Sequence, residues 1–332
     1  MNKPIADESP ELSITMNISF NPDDVETIIV REIGDTTKGL YVNVPPDVKA
    51  HTNLRHTTSI KSFSYIINDL TLRCSSLTSA NLNDQREKER IDIEKYAPSR
   101  FISCFSHITH ESILFWDMYG DKINKQNNIQ LVFKNFANFF ADAIHTDYFF
   151  LCGGKRAFFK TADGKAVINP PSNMRHETTG KPLSNSDFDT NNWLESLELI
   201  DVQYLPVDHE VFTQHYSSLA NLHFGPDESY PAINTTQYHP HNLGRHKTET
   251  WNIEYESRIL CGSFLQDFDK WPYIDLRLKE EIFRDLIIIT NPWAEKNFIK
   301  EICDLVRNSP LTDDIKSSIT IQRSNEEGKI NL

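Results

Sequence analysis

The sequence predicts an α+β fold: a mixed, mainly antiparallel sheet with flanking helices, preceded by a β-rich N-terminal extension. Three observations predict it. First, residues 247–262 (KTETWNIEYESRILCG) alternate Trp251, Ile253, Tyr255, Ile259 and Cys261 with Asn252, Glu254, Glu256, Arg258 and Leu260, the period of a strand whose side chains point to opposite faces. Second, Ile60, Phe63, Ile66, Ile67 and Leu70 have helical spacing between two strand-like runs, 54–59 and 71–76. Third, 39% hydrophobic residues, including 20 Phe, 11 Tyr and 5 Trp, supply enough apolar surface for several layers around a core.

The elements follow in order. Residues 1–50 read as the extension, with strands over 13–20 and 26–33, separated by Asn21-Pro22-Asp23-Asp24, and a third over 40–44 stopped by Pro45-Pro46. Residues 51–325 form the core and 326–332 a tail. Within the core, Thr58 or Ser59 caps the helix that begins near Ile60. Asn83, Asp84 and Glu87 fit a turn running into a helix N-terminus, where acidic groups meet the positive end of the dipole. Strands are expected at 100–106, 129–133, 148–152 and 199–206, a short helix at 111–119, a long one at 137–145 and a further helix at 211–223. Residues 169–192 and 225–246 are Pro-, Asn- and Ser-containing loops, the second of them placed directly before 247–262. The C-terminal part reads as a charged helix passing into a strand over 276–289, an amphipathic helix over 293–308, and a last strand at 317–322.

Charge and cysteine usage exclude some functions. A formal charge of −13 disfavours a broad nucleic-acid footprint or attraction to an anionic membrane. No run is long enough to span a bilayer and the N-terminus is acidic, so the expectation is a cytoplasmic protein. Five cysteines, odd in number and without metal-type spacing, read as reduced thiols. His239-Pro240-His241 with His246 lacks an acidic or Cys ligand at usual spacing, so no metal is expected there. Residues 152–156 (CGGKR) lack the length and the Lys-Ser/Thr ending of a P-loop.

Two carboxylates on one strand face, about 7 Å apart, call for a cation or a task; pairing of Arg258 with a glutamate on a solvated face is the plainer reading. The wider motif order is His56-Thr57-Thr58-Ser59, Asn83-Asp84-x-x-Glu87, Ser103-Cys104-Phe105-Ser106, Trp116-x-x-Tyr119 and Lys247-x-x-x-Trp251-x-x-Glu254-x-Glu256-x-Arg258. Over roughly residues 50–325 it resembles a bacterial family, domain of unknown function 2971. Gln85-Arg86 departs from the Pro-Phe of that family's turn. More loosely, the order is similar to that of ADP-ribosyltransferases, with His early, Ser in a middle strand and Glu on a late one; Glu254-x-Glu256 resembles the glutamate pair of arginine-modifying members.

That resemblance implies an ADP-ribosyltransferase-like fold and an NAD-using transferase or glycohydrolase, a toxin or antiviral-defence effector. Glu256 would stabilise the oxocarbenium-like ribose, as glycosidase carboxylates do. Glu254 would orient or deprotonate an acceptor. His56 would hydrogen-bond the adenosine-side ribose and Thr57 would support the ligand through its backbone or hydroxyl; Ser106 would hold the nicotinamide ribose or support Glu256, and Tyr119 would stack on nicotinamide, with Arg258 among the NAD-binding residues. Each has a plainer role: a backbone cap for His56, an edge residue for Ser106, a core aromatic for Trp116, Tyr119 and Trp251. The rival readings are a non-catalytic module sensing a nucleotide or protein partner in a defence system, and a metal-dependent nuclease using acidic residues.

Overall fold

The structure is a computed structural model, and it describes residues 41–80, 82–93, 97–134, 136, 150–152, 155–158, 175, 179–194, 196–213, 243–262 and 271–329. The strands expected at 13–20 and 26–33, the helix at 137–145 and most of the loop 225–246 lie outside them.

The chain is a mixed α+β protein with a mainly antiparallel sheet. Its strands are β1 (Tyr41–Asn43), β2 (Leu54–Ser59), β3 (Thr71–Ser76), β4 (Arg100–Ser106), β5 (Asn128–Phe133), β6 (Phe150–Cys152), β7 (Lys155–Phe158) and β8 (Phe188–Trp193). They continue with β9 (Ser196–Asp201), β10 (Gln203–Leu205), β11 (His246–Thr248), β12 (Glu256–Gly262), β13 (Tyr273–Arg277), β14 (Ile287–Thr290) and β15 (Thr320–Gln322). The main sheet runs β15-β14-β5-β2-β4-β3-β13-β6-β7-β8, with β12, β9 and β1 added in turn on β4; β10 and β11 pair separately.

The sheet forks at β4. One edge of β4 pairs with β12 along its whole length, from Glu256↔Ser106 to Gly262↔Arg100. The other edge is shared: β2 meets it at Arg55↔Ser106, and β3 at Ser75↔Ile102 and Ser76↔Phe101. Between them the Cys104 carbonyl accepts a hydrogen bond from His56 Nδ1 at 2.9 Å, so an imidazole takes the place of a ladder partner where the strands diverge.

The helix Ile60–Asp69 explains how β2 and β3 come to lie apart. Ser59 caps it through Ser62 N, and Phe63, Ile66 and Ile67 bury one face against the sheet. Leu70, left-handed at φ 48°, ends it and turns the chain into β3. The main core lies on that side of the sheet, built from Phe101, Phe105, Leu131, Phe133, Ile259 and Phe283 among others; helix Phe298–Asn308 adds Phe298, Ile302 and Val306. On the opposite face Ile102, Ile200 and Leu260 form a smaller cluster with Leu77, Ile91 and Leu243.

Five expectations need correction. The stretch 169–192, expected as a loop, ends in a 3-10 turn, Asn185–Asp187, and most of β8. Residues 247–262 are not one strand: β11 leads into a 3-10 helix, Glu249–Glu254, and only β12 is extended. β12 lies between β4 and β9 with every residue buried, so its alternation separates two interior environments rather than core from water. Residues 199–206 divide between β9 and β10, which join different sheets. The charged stretch ahead of β14 is β13 followed by a 3-10 turn, Glu280–Phe283, not a helix. Among the described residues, no helix is long and apolar enough to cross a membrane.

Asp84 ties two of these parts together. It caps helix Gln85–Ile93 through Arg86 N at 2.9 Å, and its second oxygen accepts from Thr248 N in β11 at 2.5 Å. Asp84→Ala removes a cap and orphans a buried amide, so urea unfolding is expected to show a loss of about 2–3 kcal/mol.

Candidate functional site

Glu254 and Glu256 belong to a buried ion network at the start of β12. Arg258 gives Nε to Glu256 Oε1 (2.8 Å) and Nη2 to Glu256 Oε2 (3.2 Å), and grips both oxygens of Glu87 from helix Gln85–Ile93. Its remaining Nη1 contact is the Gly244 carbonyl at 2.7 Å. Lys247 Nζ bridges Glu254 Oε2 (2.5 Å) and Glu256 Oε2 (2.8 Å). Tyr119 donates its hydroxyl to Glu254 Oε1 and accepts from Asn83 Nδ2 at 3.4 Å. Three carboxylates thus face two cations, an excess of one negative charge.

The electrostatics follow from this imbalance. Burial works to raise the Glu256 pKa, but Arg258 and Lys247 overcome it and hold the carboxyl down at about 2. Glu254 goes the other way: burial, with Glu256 repelling, raises it against the pull of Lys247. Burial and the two glutamates push the Tyr119 hydroxyl up as well, so it stays a donor. In Arg258, burial opposes the charge, yet Glu256 and Glu87 keep the guanidinium firmly protonated.

Strand register then decides which predicted residues meet. Arg55, Ser106 and Glu256 form one row across β2, β4 and β12 and share a face, because directly opposed residues point the same way. His56, next to Arg55, points to the other face, opposite Leu131 and beside the Phe105 ring (centroids 5.2 Å apart). The roles toward one NAD molecule expected of His56 and Glu256 require a shared cleft, and this is corrected: a single residue's step along β2 puts the two side chains on opposite sides of the sheet. Burial lowers the His56 pKa, with its bond to Cys104 opposing, so the imidazole is neutral and structural.

The other assigned residues also have local duties. Thr57 Oγ1 accepts from Gln130 Nε2 (3.2 Å), while Gln130 Oε1 accepts from Arg55 (2.6 Å). Ser106 donates to the Glu254 carbonyl at 2.6 Å and accepts from Ile108 N at 3.2 Å. Arg258 is wholly buried. Tyr119 stacks on Phe115, and Trp116 is core. Lys247 Nζ lies 5.5 Å from the Trp251 ring centroid.

A second constellation lies on the Phe105 face, where β4 and β9 end and β12 begins. His51 Nε2 is 2.7 Å from Asp201 Oδ2, and His107 Nδ1 is 3.4 Å from Asp201 Oδ1. Ser257 donates to Asp201 Oδ1 at 2.6 Å and lies 3.0 Å from His107 Nδ1. The two imidazoles stack with centroids 4.1 Å apart and planes 9° from parallel. Burial would raise the Asp201 pKa, but bonds to His107, Ser257 and His51 bring it below the ordinary range. The three titratable side chains keep 20–29% of their surface exposed.

Sequence reasoning missed this group because its members come from three separated segments: the link before β2, the residue after β4 and the end of β9. The available signal was that His107 and Asp201 are polar residues at strand ends; His51, in the link between a short helix and β2, carried none. Their convergence depends on β4, β12 and β9 being neighbours.

Between the two constellations the chain passes through Tyr255, a left-handed residue at φ 44°. Its carbonyl accepts from His107 N at 2.9 Å, and its ring meets the His107 ring edge-on at 5.7 Å. Ile253 and Tyr255, both expected inside, are 51% and 52% exposed, as is Val207 at 51%.

A scan against protein-family models, a search of curated proteins and a search of solved structures each returned no match.

Proposed function

We propose that the chain is a non-catalytic recognition module that presents the turn Glu249–Tyr255 to a protein partner. One observation carries this reading: both oxygens of Glu256 are held by Arg258 and Lys247, in a residue only 3% exposed. A carboxylate that stabilises a ribosyl cation has to meet the sugar; this one meets two internal cations. The same network fixes Glu254 from below, while the next residues outward, Ile253 and Tyr255, stand in solvent. A rigid anchor under exposed apolar side chains is the arrangement expected of a binding hot spot. A protein partner fits better than a nucleotide, because Lys247, Arg258 and Arg245 at this end already face Glu254, Glu256, Glu87 and Glu198. In this reading the likeness to ADP-ribosyltransferases and to domain of unknown function 2971 is one of motif layout, with the glutamate pair serving the fold. A role in a defence system would be sensing.

Two measurements test it. Purified protein incubated with NAD is expected to release no nicotinamide beyond the level of its Glu256→Gln variant. A photo-crosslinking amino acid at position 255, used in the native host, is expected to give a discrete adduct that the same group at position 65 does not; Tyr65 is equally exposed at 52%. NAD cleavage that vanishes in a folded Glu256→Gln variant would restore the transferase reading, and identical adducts from both positions would remove the recognition turn.

A further inference from the structure

We propose that His51 Nε2, His107 Nδ1 and the Asp201 carboxylate are the protein ligands of one divalent transition-metal ion of the zinc class, with a coordination position open to solvent. The proposal goes beyond the recognition reading and does not depend on it. Zinc bonds of about 2.0–2.2 Å at tetrahedral angles place two ligand atoms about 3.3 Å apart. His107 Nδ1 lies 3.4 Å from Asp201 Oδ1, close to that value, while His51 Nε2 lies 2.7 Å from Oδ2 and would have to draw back by about half an ångström to admit an ion. The three ligand atoms of His51, His107 and Asp201 also lie within 4.8 Å of one another.

In the metal-free protein the same atoms are hydrogen-bonded, His51 Nε2 with Asp201 Oδ2 at 2.7 Å and His107 Nδ1 with Ser257 Oγ at 3.0 Å, and an ion would displace those protons. A second ring laid nearly parallel on the first, with centroids 4.1 Å apart, brings two ring nitrogens to the same acid. Two imidazole nitrogens and a carboxylate oxygen so grouped are a donor set that a divalent cation can take up. Ser257, wholly buried, then acts as the outer partner that fixes the carboxylate's orientation. The backbone bond from His107 N to Tyr255 O holds the second ring in place. Two imidazoles and one carboxylate favour zinc, cobalt, nickel or copper over magnesium or calcium, which prefer all-oxygen sites. Partial exposure of the three side chains gives the ion a way in.

The test uses the full chain, stripped with a chelator and dialysed. Calorimetric titration with zinc is expected to show one equivalent, and cobalt to give the visible absorption of a low-coordinate site. His51→Ala and His107→Ala should each weaken zinc binding about a hundredfold or more, and Ser257→Ala about tenfold. Circular dichroism and thermal unfolding of the metal-free variants check the fold. Should a variant fail to fold, cobalt-induced broadening of the His51 and His107 imidazole signals in the wild-type protein supplies the same answer. Selective broadening of those two rings supports the site. Absence of stoichiometric binding, binding that survives the combined His51→Ala and His107→Ala changes, or binding abolished instead by His239→Ala with His241→Ala would overturn it.

Discussion

Replacing Arg258 with alanine is expected to destabilise the protein by about 3–5 kcal/mol, the range for removing one member of a buried ion pair. The cost arises from what stays behind. Glu87 and Glu256 lose their shared guanidinium and face each other in the interior, and of the two cations described in the network Lys247 remains. The Gly244 carbonyl also loses its donor. A second variant separates this from lost packing: Arg258→Met combined with Glu87→Gln and Glu256→Gln removes the charges together and should recover more than half of the loss. Urea unfolding followed by circular dichroism measures both. A cost below about 1 kcal/mol for Arg258→Ala would mean that water reaches these groups and that the network is not the anchor of the turn.

Acid should weaken the fold through Glu256. Its carboxyl, held at about 2 against an ordinary 4.5, binds its proton less readily folded than unfolded. The stabilisation is therefore complete above about pH 4.5 and is lost as pH falls towards 2. It corresponds to about 3 kcal/mol for this group. Glu254 works in the opposite sense: its raised pKa means that protonation relieves a cost, which blunts the acid loss. Unfolding free energies measured from pH 6 downward should decline more steeply in Glu254→Gln, where that relief is absent. The gap between wild type and Glu256→Gln should narrow with falling pH. A gap that stays constant from pH 6 to pH 3 would show that Glu256 is not ion-paired as described.

Local pattern made much of the architecture legible. β4 occupies the expected residues 100–106, helix Ile60–Asp69 follows the spacing of Phe63, Ile66 and Ile67, and β3 follows directly. These segments carry their own signals: a capping serine, a helical apolar stripe, an unbroken β-prone run. The segment 247–262 misled because alternation records only that side chains differ in polarity, not what each face meets. Ile253 and Tyr255 occupy apolar positions of a strand-like pattern yet stand in solvent on a 3-10 turn. Glu254 and Glu256 occupy polar positions yet are buried, because Lys247, Arg258 and Glu87 converge on them from the same and from remote parts of the chain.

The candidate sites divide along the same line. The residue types of the ion network could be read from the chain, since Glu254, Glu256 and Arg258 are near neighbours in it. That Arg55 rather than His56 shares their face was decided by the pairing of β2 with β4, where one residue's displacement exchanges the two sides. The His51–His107–Asp201 group was wholly a product of the fold. The sequence by itself determined the α+β character, the positions of the helices and strands with strong periodicity, and the presence of paired charges needing partners. Tertiary structure alone decided whether those charges faced water, substrate or one another, because burial and opposition across a sheet are properties of strand order, which no single segment encodes.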